Sequence, residues 1–341
     1  VFGTFRYLLA LMVVVSHLWR SISIWAGTYA VFSFFLLSGY LMALVLNSTY
    51  GFTGRGLGRY LANRALRIYP AYLAALALSV AVIVLLPDAT RSISLLRLPD
   101  DWLLWLRSLV IFTLQVDPLY ASRLIPPAWS VDIELCFYIA LGLGLARGRR
   151  VALVWFVASV AYSVHLVAGE TTFTERYSNL LAASLPYSAG VLVYHYRELL
   201  GRWISGRGHA IVALTLFSAN VSVGLWVWNV FTTGFYASVA FTAYAVAALG
   251  ALRPRDLPPT IRRIDRFLGD LSYPVFLCHW SMAVVIVALG LAHEKGVALF
   301  LWSLPLVNLC AWCLHRFIER PAESLRVRIR ASSTSRAGAN P

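Results

Sequence analysis

The chain contains a single lysine, Lys295, and only 15 acidic side chains among its 341 residues. Charged residues make up 13% of it against 60% hydrophobic, a balance too apolar for a soluble domain. Cysteine is scarce as well. Cys136, Cys278, Cys310 and Cys313 all fall inside apolar segments, so they do not read as a disulfide framework. Cys310 and Cys313 stand at helical spacing with no second ligand pair, and are small core residues; no metal is expected. Almost all of the positive charge is therefore arginine. The net charge of +14 does not indicate nucleic acid, because the arginines are gathered in short stretches between apolar runs, as membrane topology requires. The partner that this composition demands is a lipid bilayer.

Long apolar runs are what the chain has in quantity. They lie at 3–20, 28–47, 69–87, 129–146, 151–168, 179–196, 209–229, 232–252, 268–290 and 297–315, each near the ~20 residues that a bilayer needs, with a shorter run at 102–116. The fold class is all-α: a polytopic membrane helical bundle. Charge sorting decides whether the short run crosses. The loops holding Arg55 to Arg67, Arg147 to Arg150, Arg197 to Arg207 and Arg253 to Arg266, and the segment after Arg316, are all basic and belong in the cytoplasm. They share one side only if 102–116 stays out of the count. The expectation is thus about ten transmembrane helices, both termini cytoplasmic, with 102–116 a short re-entrant or interfacial helix. No cleavable leader is expected, since the first run passes directly into a second. Residues 1–330 read as one transmembrane domain, and 331–341, rich in Ser, Ala and Gly, as a disordered cytoplasmic tail.

Several polar groups sit inside these runs, where an ionisable side chain is expensive and faces a protein interior or a watery cavity. His17 lies in an otherwise apolar stretch, eleven positions after Arg6, so on a helix both share one face roughly 16 Å apart. The second run carries Phe34-Phe35-Leu36-Leu37-Ser38-Gly39-Tyr40, in which Ser38 and Gly39 also suit close helix packing. Arg64 and Arg67, three apart before Ile68-Tyr69-Pro70, face the same way and suit either a phosphate clamp or a topological anchor. In Trp129-Ser130-Val131-Asp132-Ile133-Glu134 two carboxylates enter a span. Glu134, the deeper, lies one turn from Ser130 and one from Tyr138 on the same face. In the ten-crossing topology it shares the outer half of the membrane with His17, so the two can meet. Finally, Ser272-Tyr273-Pro274 precedes a second histidine, His279, in the middle of a span.

Together these stretches, in this order over nearly the whole chain, resemble the acyltransferase-3 family of integral membrane O-acyltransferases. Two positions depart from its pattern: Ala30 stands where glycine is usual, and Phe276 where a tyrosine is common. The resemblance implies that the protein moves an acyl group, most often acetyl, from cytoplasmic acyl-CoA to a hydroxyl of a cell-surface or lipid-linked glycan or a similar acceptor. It implies that His17 and Glu134 are catalytic, that Arg6, Arg64 and Arg67 bind the donor, and that the location is a bacterial inner membrane. Ser38, Ser130, Tyr138, Tyr273 and His279 are further candidates for the site. On this reading His17 is general base on the acceptor hydroxyl, or takes the acyl group itself, while Glu134 orients the imidazole. Tyr273, or backbone freed near Pro274, would hold the oxyanion. A transporter or flippase of lipid-linked glycans is the competing class. It would also use intramembrane charge, but no matching pair of interrupted spans is visible.

Overall fold

The computed structural model describes residues 2–19, 24–93, 95–116, 124–227, 229–253 and 257–337. All regular structure among them is helical. The helices are α1 (Gly3–Leu18), α2 (Ile24–Val45), α3 (Gly54–Leu85), α4 (Pro87–Ile93), α5 (Trp102–Val110), α6 (Ala128–Ala140), α7 (Arg149–Ala168), α8 (Phe173–Tyr177), α9 (Ser184–Trp203), α10 (Arg207–Val227), α11 (Thr233–Ala251), α12 (Pro259–Ala288), α13 (Val297–Leu314) and α14 (Arg320–Ala337). Short π-helical turns extend α2, α6 and α13. The segment expected to be a tail from 331 is thus helical to Ala337, and 338–341 lie outside the described residues.

Seven of these helices, some with their π turns, are long and apolar enough to cross a membrane: Trp25–Tyr50, Gly54–Leu85, Ala128–Leu145, Arg149–Ala168, Thr233–Ala251, Pro259–Ala288 and Val297–Arg330. The protein is therefore read as an integral membrane protein. Two helices start well before the apolar runs that announced them. α3 begins at Gly54 and α12 at Pro259, because the basic segments ahead of each run contain helix-forming arginines, joined in α3 by alanine and leucine, and simply continue the same helix. Arg64 and Arg67 are consequently helical, as their spacing required.

The chain folds as two compact units of interleaved segments. The first comprises Val1–Leu9, Thr28–Tyr60 and Cys136–Gly269. Within it α9 packs between α7 and α11, and α11 also packs on α10. Close approach of α2 to α9 rests on two glycines: a Cβ on Gly39 would strike the Tyr187 carbonyl, and one on Gly190 the Leu36 carbonyl. Gly39 of the Ser38-Gly39 pair thus serves packing. Phe32, Phe173, Tyr177 and Phe235 form an aromatic cluster in the same unit, with Phe32 and Phe235 centroids 4.5 Å apart.

The second unit comprises Ala10–Gly27, Leu61–Leu135 and Asp270–Pro341. In it the short run at 102–116 is a nine-residue helix, α5, capped by Asp101, whose carboxylate accepts the Leu104 N–H at 2.8 Å. It ends where Ile111 turns left-handed, at φ 52°. The following turn is built around Asp132. That carboxylate accepts the Gln115 N–H at 3.1 Å and also receives the Leu114 and Thr113 amides, while Arg107 donates to the Thr113 hydroxyl and carbonyl. Tyr69 and Tyr72 of α3 donate to the Val110 and Ser108 carbonyls, each at 2.6 Å. These bonds supply partners for backbone groups that the end of a helix leaves without any.

Candidate functional site

α1 delivers His17 in its last turn, half-buried, and α12 delivers His279 with no exposed surface at all. The two imidazoles meet: His17 Nδ1 lies 2.9 Å from His279 Nε2, with the rings nearly parallel. His279 Nδ1 is in turn 2.8 Å from the Phe276 carbonyl. A carbonyl only accepts, so His279 Nδ1 carries a proton. With both rings neutral, His279 Nε2 is then an acceptor and His17 Nδ1 must donate to it. That leaves the lone pair of His17 on Nε2, turned away from the pair. A fixed ring with a bare Nε2 is the state a general base requires.

Trp280 follows His279 on α12 and is 3% exposed, its ring 5.5 Å from that of His17. Its indole N–H is buried and has no hydrogen-bond partner among the described residues. Lys295, the one lysine of the chain, reaches back from the segment after α12 to set its ammonium 4.6 Å from the Trp280 ring centroid, and its charge acts on His17. A cation over the face of an indole is an attractive arrangement that gains strength as water is excluded. Sequence reasoning noted Lys295 only for its rarity and passed over Trp280. The signal available was adjacency: His279 and Trp280 are neighbours in sequence.

A second group lies at the other end of the same stretch of α12. Arg67 of α3 donates to Glu319 at 2.6 Å, in a pair whose side chains are 19% and 7% exposed. Glu319 belongs to the π turn His315–Glu319, and its other oxygen is 3.2 Å from His315 Nδ1. The Arg67 guanidinium lies 5.7 Å from the Tyr273 ring centroid, and the Tyr273 hydroxyl donates to the Ile68 carbonyl at 3.3 Å. One residue before Ile68 on α3, Arg67 therefore faces α12 from the same place. Arg64, one turn earlier on α3, is 8% exposed and donates through Nη2 to Asn63 Oδ1 at 2.8 Å. Tyr273 and His279 are six residues apart on α12, which sets the arginine group and the histidine pair roughly 9 Å apart along the helix axis.

The expected meeting of His17 with Glu134 gives way to the histidine pair: the hydrogen bond of His17 goes to His279. A search for opposite charge favours a carboxylate, whereas an imidazole accepts a hydrogen bond without any charge at all. Glu134 is half-buried on α6 and acts electrostatically on Tyr273, nearer the arginine end. Asp132, its neighbour, is spent on the α5 turn. Ser130 is buried and donates to the Pro127 carbonyl at 2.9 Å. Tyr273 is likewise committed to Ile68, away from the histidines. Arg6, Ser38 and Tyr138 belong to the first unit: Arg6 half-buried on α1, eleven residues before His17, Ser38 half-buried on α2, and Tyr138 buried edge-on to Tyr60. Among the described residues no group of three or more His, Cys, Asp or Glu side chains is arranged to hold a metal ion.

Comparison with known families gives a single result of weight. A family model described as an acyltransferase domain, acyltransferase-3, matches residues 3–316, nearly the whole chain. No curated protein matches, and no solved structure matches.

Proposed function

Since the chain belongs to the acyltransferase-3 family, and is therefore a membrane acyltransferase, we propose that it carries an acyl group, acetyl in the first instance, from cytoplasmic acyl-CoA to a hydroxyl of a cell-surface or lipid-linked glycan. The observation that carries this reading is the half-buried His17, held through Nδ1 by His279 with Nε2 left bare. The acceptor hydroxyl gives its proton to His17 Nε2 as its oxygen attacks the thioester carbonyl. The carbonyl oxygen takes up negative charge, which this reading assigns to the Trp280 N–H and the Lys295 ammonium, grouped with His17. Collapse breaks the acyl–sulfur bond, and the coenzyme thiolate takes the proton back from His17. Atoms and charge are then restored.

Donor phosphates are held by Arg64 and Arg67. A planar guanidinium matches phosphate in a fork that ammonium cannot reproduce. The thioester arm runs along α12 from Tyr273 toward His279, past Glu134. Residues 1–330 act as one acyltransferase domain in a bacterial inner membrane. Its ten crossings are the seven long apolar helices with α1, α9 and α10 added, and both termini are cytoplasmic. At nine residues, or roughly 14 Å, α5 is too short for a hydrocarbon core of about 30 Å.

Purified protein in detergent, supplied with radiolabelled acetyl-CoA, tests the reading. Slow release of free coenzyme without acceptor, quickened by a glycan extract with label passing to it, is the expected result. Binding and movement of a lipid-linked glycan with no consumption of thioester would assign the chain to transport instead.

A further inference from the structure

α14 begins after the π turn that carries Glu319, and lies beyond the stretch matched to the family. It brings a third arginine to the pair on α3. Asn63, which has no exposed surface, joins the two helices: its Nδ2 donates to the Arg326 carbonyl at 3.0 Å. Its Oδ1 accepts from Arg64 Nη2 at 2.8 Å and faces Arg326 Nε at 3.5 Å. One buried amide oxygen thus gathers two guanidinium groups. The charges of Arg64, Arg67 and Arg330 all act on Arg326, as does Glu323 from its own helix.

Like charges repel, and the repulsion grows as their surroundings exclude water. Glu319 pairs with Arg67 and the charge of Glu323 acts on Arg326, while Asn63 is the neutral group that brings the Arg64 and Arg326 guanidinium groups together. An acyl-CoA carries a diphosphate and a separate monophosphate, so a third arginine brings the site nearer to its charge than a pair does. We propose that Arg326, aligned by Asn63, completes a three-arginine phosphate site with Arg64 and Arg67, and that the phosphates it takes are those of the acyl-CoA donor. The assignment of donor rests on the function proposed above; the phosphate chemistry does not. An anionic lipid headgroup offers the same chemistry.

The test uses full-length protein in phosphatidylcholine nanodiscs, titrated separately with acetyl-CoA and with inorganic pyrophosphate. Arg326→Gln is expected to weaken both about tenfold, or about 1.4 kcal/mol, and Arg326→Lys by less, with melting temperatures close to that of the parent. If the parent binds both ligands and Arg326→Gln binds them equally well, the proposal fails and the donor reading stands. If the parent binds pyrophosphate with the expected loss in the variant but ignores acetyl-CoA, the phosphate site stands and the donor reading fails. Repetition in phosphatidylglycerol nanodiscs separates the sources. Parent affinity falling there to that of the variant would mean that headgroups fill the site, which overturns the donor assignment. Should Arg326→Gln fail to fold, unchanged affinity in Arg326→Lys is the overturning result.

Discussion

An imidazole acts as a base only through the nitrogen that has no proton, and a neighbour decides which nitrogen that is. For His17 the neighbour is another imidazole, whose own tautomer is set by the Phe276 carbonyl. The chain carbonyl, His279, His17 is a relay of orientation that needs no carboxylate, although it does the same work as one beside a catalytic histidine. Trp280 is the natural complement. Trp280→Phe keeps the ring that packs beside His17 but removes the N–H, so kcat should fall about 10²-fold, the lower end for loss of one oxyanion donor, because Lys295 remains. Donor affinity should not move. Steady-state rates with direct donor titration decide this, and a change of kcat below about threefold would remove Trp280 from the chemistry.

At the arginine end, Arg64→Lys with Arg67→Lys preserves the charge that orients the helix and removes both forks. Insertion should be normal and the Kd for acetyl-CoA about tenfold higher, roughly 1.4 kcal/mol. Equal donor affinity would make the pair a topological anchor. The types of these residues were legible from the sequence, since charge inside an apolar run stands out. Their partners were not. His17 with His279, and Arg67 with Glu319, lie 262 and 252 positions apart, and nothing local to either residue ranks one distant partner over another.

Among the elements, α5 is the one whose character follows from particular atoms. It is a run of nine helical residues rich in leucine and tryptophan, with a defined end. The end is fixed by Asp132, which collects the amides of Thr113 to Gln115, and by Arg107, which holds the Thr113 carbonyl. Asp132→Asn would keep the shape of the side chain but present an N–H₂ group where an acceptor is needed. Stability should fall by about 1.5 to 3 kcal/mol, the range for hydrogen bonds to a charged group, while the donor Kd stays unchanged. Thermal unfolding in detergent measures the first and titration the second; a variant as stable as the parent would mean that the turn is held by other bonds. The sequence marked Asp132 as a costly carboxylate beside Glu134 but could not divide their roles. That division depends on a turn 17 residues away in the chain, which folds back onto α6.

For the molecule as a whole, helix length and charge sorting bear on the proposed ten-crossing topology. Seven helices are long and apolar enough to cross, and counting α1, α9 and α10 with them returns every basic loop to one side. Single cysteines placed at Arg150 and Arg207 on a cysteine-free background should resist a membrane-impermeant thiol reagent in intact cells, and one at Glu170 should react. Reaction at 150 from outside would contradict ten crossings. The all-helical membrane class was the most legible in the sequence, because the bilayer imposes length and polarity on every span. The boundaries were less so, since α3 and α12 run on through their arginines beyond the apolar core.

The most direct measurement is the rate of acetyl transfer by His17→Ala, purified beside the parent and matched to it by melting temperature and by acetyl-CoA affinity. Loss of a general base is expected to lower kcat by 10²- to 10⁴-fold, about 3 to 5 kcal/mol of barrier, with donor binding intact because the arginines that hold it lie beside Tyr273, roughly 9 Å away along α12. A folded His17→Ala protein that binds donor and still transfers acetyl groups at close to the parental rate would contradict catalysis by His17.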